Sequence, residues 1–225
     1  MSRLGPVITL AAGAVLAAGL GVASMNATPA ANTAAANTPS EPAPATPAAA
    51  PAAPTPTAKQ TVDKADYAGY VKGDGGLIAI SVRDGKAVGY FCDGRTEAWL
   101  KGGAAAGKAT LKGFGGATAS ATLGGGQARG WLALGGKKWT FTAGTVRKPS
   151  GLYRATAQVR GAKIRAGWIV LKRPQGGFYQ VGAAYEDDRQ LRIPELDGDR
   201  PTNPVALDQA TLYPKDVDGF IQEIQ

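Results

Sequence analysis

Apolar and polar residues alternate with a period of two in four stretches between residues 117 and 170. In residues 117–123, Ala and Leu alternate with Thr and Ser, and residues 137–143, 152–160 and 163–170 alternate apolar residues with Thr, Lys or Arg. This period is typical of β-strands, because successive side chains point to opposite faces. Glycine-rich breaks separate the stretches. We therefore predict short antiparallel strands with one apolar and one solvated face.

An earlier hairpin extends the pattern towards the N-terminus. Ile78, Ile80 and Val82 share one face of a predicted strand, and Asp84-Gly85 follows. Asp-Gly favours a tight hairpin turn, because both central positions need a positive φ. Short connections favour a meander of about nine or ten strands that ends near residue 185. Its many inward Ala and Gly residues favour an all-β fold rolled into a narrow barrel or barrel-like sheet.

The N-terminal 58 residues predict export rather than a folded domain. Residues 1–26 place Arg3 before an uncharged apolar run, which matches a secretory signal peptide or an N-terminal membrane anchor formed by an apolar helix. Residues 27–58 consist almost only of Ala, Pro, Thr and Asn, a composition typical of a disordered linker. We expect an extracytoplasmic protein, either held in the membrane by its N-terminus or secreted after cleavage.

Charge divides the remaining chain into a cationic β domain, residues 59–185, and an acidic C-terminal extension, residues 186–225. The first carries twenty Lys or Arg against six Asp or Glu, with no acidic residue between Glu97 and Glu186. For the extension we predict an irregular tail with one short helix near residues 217–224. The tail either docks on the cationic domain or stays solvated. Docking through surface ion pairs alone would be weak and sensitive to salt.

The outward positions of neighbouring predicted strands form a candidate binding face. Its basic residues are Arg129, Lys138, Arg154, Arg160, Lys163 and Arg165. Such a face is expected to bind an envelope polyanion, either teichoic acid or anionic lipid head groups. The export signal argues against nucleic acid as a partner. The alternative is a solvated face that keeps an alanine- and glycine-rich sheet soluble.

Residue types that carry catalysis are scarce in this chain. It has no histidine, which excludes Ser-His-Asp catalysis and histidine-ligated metal sites. We therefore expect a protein that is not an enzyme, with no catalytic residue, no metal and no cofactor. The single Cys92 cannot form an intrachain disulfide, and a buried role and a reactive thiol remain open.

One segment approaches a phosphate-binding motif. Residues 102–108 read GGAAAGK, but Ala109 stands where a metal-binding hydroxyl is needed. We interpret the segment as a flexible glycine loop that follows one helical turn at residues 97–100. It therefore supplies no nucleotide site.

The segments YFCDGR (90–95), GLYRA (151–155) and GWIVL (167–171) resemble uncharacterised actinobacterial proteins that are exported or membrane-anchored and carry a β domain. The resemblance implies the same organisation and brings no assigned activity. Our leading hypothesis is a non-enzymatic cell-envelope protein that presents its basic β domain to wall or lipid polyanions. The alternative is an extracytoplasmic domain that binds a small ligand or senses a signal in a pocket among Trp99, Trp131, Trp139 and Trp168. The oligomeric state stays open.

Overall fold

The computed structural model describes residues 62–73 and 75–224. The predicted signal or anchor, residues 1–26, and the predicted linker, residues 27–58, lie outside the described residues. Strands dominate the described part, which confirms an all-β fold. The strands are β1 (Lys64–Val71), β2 (Leu77–Arg83), β3 (Lys86–Cys92), β4 (Glu97–Ala105), β5 (Lys108–Gly113), β6 (Thr118–Gly124), β7 (Gln127–Leu134), β8 (Lys137–Thr145), β9 (Gly151–Val159), β10 (Ala162–Lys172), β11 (Phe178–Glu186), β12 (Arg189–Leu191), β13 (Val205–Leu207), β14 (Ala210–Leu212) and β15 (Lys215–Asp216). A 3-10 turn covers Phe114–Gly116, and one helix, α1, covers Val217–Ile224.

Strands β1 to β8 form a closed antiparallel barrel. Each strand pairs with the next, and β8 returns to β1, where Gly144 lies opposite Ala68. The predicted turn at Asp84-Gly85 joins β2 to β3, and both residues have a positive φ, 48° and 78°. The barrel is tightly packed: a Cβ atom at Gly130 would lie 1.9 Å from the carbonyl oxygen of Ser120. The prediction of a barrel lined by small residues is thus confirmed.

The predicted division of residues between the two faces holds within the barrel. Its interior contains the predicted inward residues of β2, β6 and β8 together with apolar residues from the other strands. Strands β2 and β3 are buried almost throughout, on both faces. Their outward side chains include Leu77, Ala79, Val88 and Tyr90, which pack against a second sheet. These two strands therefore lie at the centre of the domain.

The prediction of one continuous meander was wrong beyond β8. The barrel closes there, and Gly151 begins a separate five-stranded sheet with the order β12-β11-β10-β9-β15. Pro149 lies in the connection, and proline cannot donate the backbone hydrogen bond that a continuing ladder needs. The alternation in β9 and β10 is the same as in the barrel strands. Periodicity therefore could not reveal where the barrel ends.

The second sheet is buried on both faces. One face packs on the outside of the barrel, where Ile169, predicted to lie on the solvated side, is fully buried. The other face, with Trp168 and Val170, is covered by the C-terminal segment. The sheets approach most closely at Gly167, where a Cβ atom would lie 2.5 Å from Cζ2 of Trp99. Glycine is required at this contact, because a larger side chain would displace the Trp99 ring.

The C-terminal extension is more ordered than predicted. The predicted helix is confirmed as α1, but β12 to β15 add short strands to a segment expected to be irregular. The extension docks on the rest of the domain, and α1 buries Val217, Phe220 and Ile221. Docking thus uses an apolar contact in addition to the expected ion pairs. In the part of the chain that the structure describes, no helix has the length and apolar character needed to cross a membrane.

Two local predictions in β4 were also wrong. Residues 97–100 form strand rather than a helical turn, and residues 102–105 continue that strand instead of forming a loop. Strand β4 pairs with β3 on one side and with β5 on the other. Gly102 permits this pairing, because a Cβ atom there would lie 2.1 Å from the carbonyl oxygen of Thr110. The glycines that predicted flexibility instead allow close strand packing.

Candidate functional site

The six basic residues predicted to form one face lie on two different sheets. Arg129 and Lys138 belong to the barrel strands β7 and β8. The other four, Arg154, Arg160, Lys163 and Arg165, lie on the β9–β10 hairpin of the second sheet. The two groups have different surroundings. They are therefore described separately.

The exterior of β4 to β8 is exposed, and we call it the open face. Its side chains form three rows that run across neighbouring strands. The first row is Lys101, Lys112, Thr118, Ala133 and Lys138; the second is Thr110, Ser120, Trp131 and Thr140; the third is Lys108, Thr122, Arg129 and Thr142. Adjacent strands are spaced by about 4.8 Å, so the first row extends about 19 Å and the other two about 14 Å.

Cations of the open face have no acidic partners. Among the described residues, no carboxylate lies within 4.0 Å of the charged groups of Lys101, Lys108, Lys112, Arg129 or Lys138. Lys101 lies directly opposite Lys112, an arrangement of like charges that destabilises a sheet. The Lys138 ammonium group lies 4.1 Å from the centre of the Trp131 ring. The face thus combines uncompensated positive charge, hydroxyl groups and one aromatic ring.

Cations of the second sheet lie close to acidic groups. Arg165 Nε donates to Glu97 Oε1 at 3.4 Å, and an Arg154 nitrogen lies 3.7 Å from Glu223 Oε2. The Lys163 backbone amide donates to the Asp187 carboxylate. Arg160 shares a shallow cleft of about 220 Å³ with Glu186 and Asp208. Most of these acids come from the C-terminal segment, which therefore lowers the net charge of this sheet.

An ion cluster around the buried Arg83 joins the barrel to α1, and sequence reasoning missed it. The Arg83 guanidinium donates to Asp66 Oδ2 at 2.9 Å and to Asp218 Oδ1 at 2.5 Å. Lys64 and Lys148 also lie within 4.0 Å of Asp218. The hydrogen bond from Arg83 lowers the pKa of Asp218 to about 2. These residues are separated by up to 154 positions in sequence, so no local pattern could have indicated the cluster.

The four tryptophans occupy four different environments. Trp131 lies on the open face, Trp139 packs against the barrel core, and Trp168 is buried between the second sheet and the C-terminal segment. Trp99 lines a cleft of about 540 Å³ between one end of the barrel and the second sheet. The described residues therefore place one of the four tryptophans, rather than all of them, at this cleft.

Glu97 lies beside Trp99 at the wall of this cleft. Its side chain is 8% exposed, and it accepts a hydrogen bond of 2.9 Å from the Tyr90 hydroxyl. Burial raises the pKa of the Glu97 carboxyl, although Tyr90 and Arg165 oppose the shift. The Arg165 side chain, 43% exposed, also lies 4.6 Å over the Tyr185 ring. This arrangement holds Arg165 in place at the cleft.

Cys92 is fully buried at the end of β3, in agreement with a buried role rather than a reactive thiol. Burial raises the pKa of its thiol to about 11, so the reactive thiolate is not formed at neutral pH. Within residues 62–73 and 75–224, no group of three or more Cys, Asp or Glu side chains is arranged to hold a metal ion.

Comparisons with protein-family models, with curated proteins and with solved structures find no match to this chain. The geometry of its own residues is therefore the basis for inferring its function. Two features of that geometry can bind a partner: the open face, and the cleft beside Trp99.

Proposed function

We propose that this protein is a non-enzymatic, extracytoplasmic component of the cell envelope that binds polyanions through the open face of its barrel. The observation that carries the proposal is the absence of acidic partners, in the described part of the chain, for the cations of this face. Unpaired cations spread over one surface attract and retain a polyanion. The predicted signal or anchor at residues 1–26 supports placement outside the membrane.

The arrangement of the open face favours a flexible polymer as the partner. Lys101 and Lys112 lie side by side at one end of the first row, and Lys138 lies at the other end. A chain of phosphodiesters can contact both ends at once, because this row extends about 19 Å. Threonine hydroxyls between the cations can donate to phosphate oxygens. We therefore favour a phosphate-rich wall polymer such as teichoic acid over a flat lipid surface.

The first test measures binding of the full chain to purified wall teichoic acid, with vesicles of anionic phospholipid as a second arm. We expect saturable binding to the polymer that weakens at least tenfold when NaCl is raised from about 0.05 M to about 0.5 M, because salt screens exposed charges. Stronger binding to vesicles would assign the face to lipid instead. Binding that does not change with salt would overturn the proposal.

A matched pair of double variants assigns the binding to the open face. Lys112→Gln with Lys138→Gln removes two of its cations, and Arg160→Gln with Lys163→Gln removes two from the second sheet. A lysine near an anionic surface contributes about 1 kcal/mol, so the first pair should weaken polymer binding about 30-fold. The second pair should change it by less than about threefold, because these two cations lie on the β9–β10 hairpin of the second sheet, outside the open face. Equal losses from both pairs would contradict this assignment.

A further inference from the structure

The cleft beside Trp99 has one polar end and one apolar end. Two arginines, Arg154 and Arg165, and two carboxylates, Glu97 and Glu223, form the polar end. The apolar side chains that line the rest of it are Ala98, Trp99, Phe114, Leu134 and Ile224. Residues from the barrel, the second sheet and α1 all contribute. No residue of the three rows of the open face lines this cleft, so the two arginines form a site separate from that face.

Arg154 is the feature of the polar end that points to a ligand. Its side chain is 23% exposed, its guanidinium lies 5.6 Å over the Trp99 ring, and it has no hydrogen-bond partner among the described residues. Glu223 lies 3.7 Å away, beyond hydrogen-bond distance, while it accepts a hydrogen bond of 2.7 Å from Lys215. A guanidinium carries five N–H donors, and a half-buried one without acceptors gains strongly from an anion.

Arg165 adds a second set of donors close to Arg154. It uses Nε for Glu97 and one terminal nitrogen for the carbonyl oxygen of Asp187, which leaves its other terminal nitrogen available. Both arginines also line an adjoining hollow of about 480 Å³ with Thr156, Gln158 and Lys163, and no carboxylate lines that hollow. The two arginines can therefore hold one anionic group between them. Glu97 and Glu223 nearby would repel a head group that carries several negative charges.

The apolar end is suited to a hydrocarbon chain. Phe114 lies on a glycine-rich turn and is 99% exposed. A large apolar side chain in contact with water is unfavourable, so a ligand that covers Phe114 gains binding free energy. Trp99, Phe114 and Ile224 also line a second groove of about 690 Å³, and Lys101 and Lys112 of the open face line the same groove. An extended apolar chain placed along these grooves would cover Phe114 and the exposed part of Trp99.

We propose that this cleft binds an amphiphile with one singly charged anionic head group, a fatty-acid carboxylate or a lipid phosphate, with the head at Arg154 and Arg165 and the chain along Trp99 and Phe114. Bound in this way, the head group replaces Glu223 beside Arg154, and Glu223 remains paired with Lys215. A neutral lipid would leave the guanidinium without an acceptor. A small anion would leave the apolar wall uncovered.

The test is calorimetric titration of the full chain with dodecanoate and with dodecyl methyl phosphate, a phosphodiester with one negative charge, below the concentrations at which they form micelles. Dodecyl maltoside provides the same chain with a neutral head, and inorganic phosphate provides a head without a chain. We expect one of the two anionic amphiphiles to bind at one site per chain, at least tenfold more tightly than dodecyl maltoside, with no heat of binding for inorganic phosphate. The tighter of the two identifies the head group as a carboxylate or a phosphate.

Single variants locate the site and exclude binding by the N-terminal apolar segment, which they all share. Arg154→Gln should weaken binding of the anionic amphiphile about tenfold, and Phe114→Ser about fivefold. Arg160→Gln and Tyr213→Ser, an arginine and an exposed aromatic residue outside the cleft, should leave the affinity unchanged. Phe114→Ser keeps the test decisive if Arg154→Gln fails to fold, because Phe114 makes no buried contact. Equal affinity for dodecyl maltoside, or unchanged affinity in Phe114→Ser, would overturn the proposal.

Discussion

The two halves of the barrel exterior differ in composition and in what covers them. On β1 to β3 the outward side chains include Ala68, Leu77, Val88 and Tyr90, which pack against the second sheet and α1. On β4 to β8 the outward positions hold mainly Thr, Lys and Arg, and they stay exposed. The first half anchors the rest of the domain, and the second half leaves an uncompensated positive surface.

Charge follows the same division. Wherever the C-terminal segment reaches, it brings acidic residues to basic ones: Asp216 to Lys148, Asp218 to Arg83, and Glu223 to Arg154. The segment does not supply an acidic partner to the open face. The C-terminal segment therefore pairs cations at the covered half of the barrel and on the second sheet, and it leaves the lysines and Arg129 of the open face without a carboxylate within 4.0 Å among the described residues.

The largest expected effect comes from a substitution in α1, which covers the β1 to β3 half of the barrel exterior. Phe220 is 1% exposed and packs with Trp99 in an edge-on arrangement, with ring centres 6.0 Å apart. Phe220→Ala should lower the free energy of unfolding by about 3–5 kcal/mol, because it leaves a cavity between the sheets and the helix. Urea unfolding followed by tryptophan fluorescence measures this change.

A matched aromatic substitution controls for the loss of the ring itself. Phe114→Ala removes the same side chain from an exposed position, and it should change stability by less than about 0.5 kcal/mol. Similar effects of the two substitutions would mean that α1 does not stabilise the domain through its apolar face. In that case ion pairs alone would hold the C-terminal segment in place.

The strand pattern could be predicted from sequence because each strand alternates locally. Ala119 and Ala121 point into the barrel, as predicted, and Ile164 and Trp168 share a buried face. The closure of the barrel at β8 could not be predicted, since it depends on pairing between residues of β1 and β8, such as Tyr67 and Thr145, that are far apart in sequence. Ile169 shows the same limit, because its burial depends on a barrel surface that local alternation does not describe.

Candidate sites were predicted only in part, for a similar reason. Arg129 lies on the barrel exterior, as predicted, and Trp131 shares that face because it is two residues along the same strand. Arg154 and Arg165 were grouped with them since all lie at polar positions of the pattern. Their acidic neighbours, Glu223 and Glu97, come from other elements, so sequence could not separate paired from unpaired cations.

A smaller effect tests the ion cluster through pH. Because Arg83 lowers the pKa of Asp218 to about 2, the ionised carboxylate stabilises the folded state above its unfolded pKa of about 4. This stabilisation is lost as the pH falls from about 4 towards 2, and we expect it to amount to about 1 kcal/mol for a part-exposed pair. Urea unfolding at a series of pH values measures it.

Asp218→Asn separates this contribution from the titration of other carboxylates. The variant should be less stable than the unsubstituted chain at pH 6, and the difference should shrink as the pH falls towards 2, where protonation of Asp218 in the folded state begins to remove its charge. If the two curves stay parallel, the hydrogen bonds from Arg83 and Lys64 to Asp218 do not contribute to docking of the C-terminal segment.

The smallest effect compares one lysine from each region. Lys101 lies opposite Lys112 without a carboxylate partner, whereas Lys215 forms an ion pair of 2.7 Å with Glu223. Lys101→Thr should raise the free energy of unfolding by about 0.5 kcal/mol, because it removes repulsion between like charges in the sheet. Lys215→Thr should lower it by about 0.5 kcal/mol, since it removes an attractive pair. Both values come from urea unfolding at low salt.

The opposite signs matter more than the magnitudes, because both substitutions place the same residue in a strand. We expect Lys101 to destabilise the free protein and to stabilise it only when a polyanion is bound. A residue with this behaviour is maintained for binding rather than for folding. Adding teichoic acid should therefore reverse the order, so that the unsubstituted chain becomes more stable than Lys101→Thr. If Lys101→Thr lowers the free energy of unfolding without polymer, Lys101 stabilises the fold. Its presence on the open face would then be no evidence of a binding site.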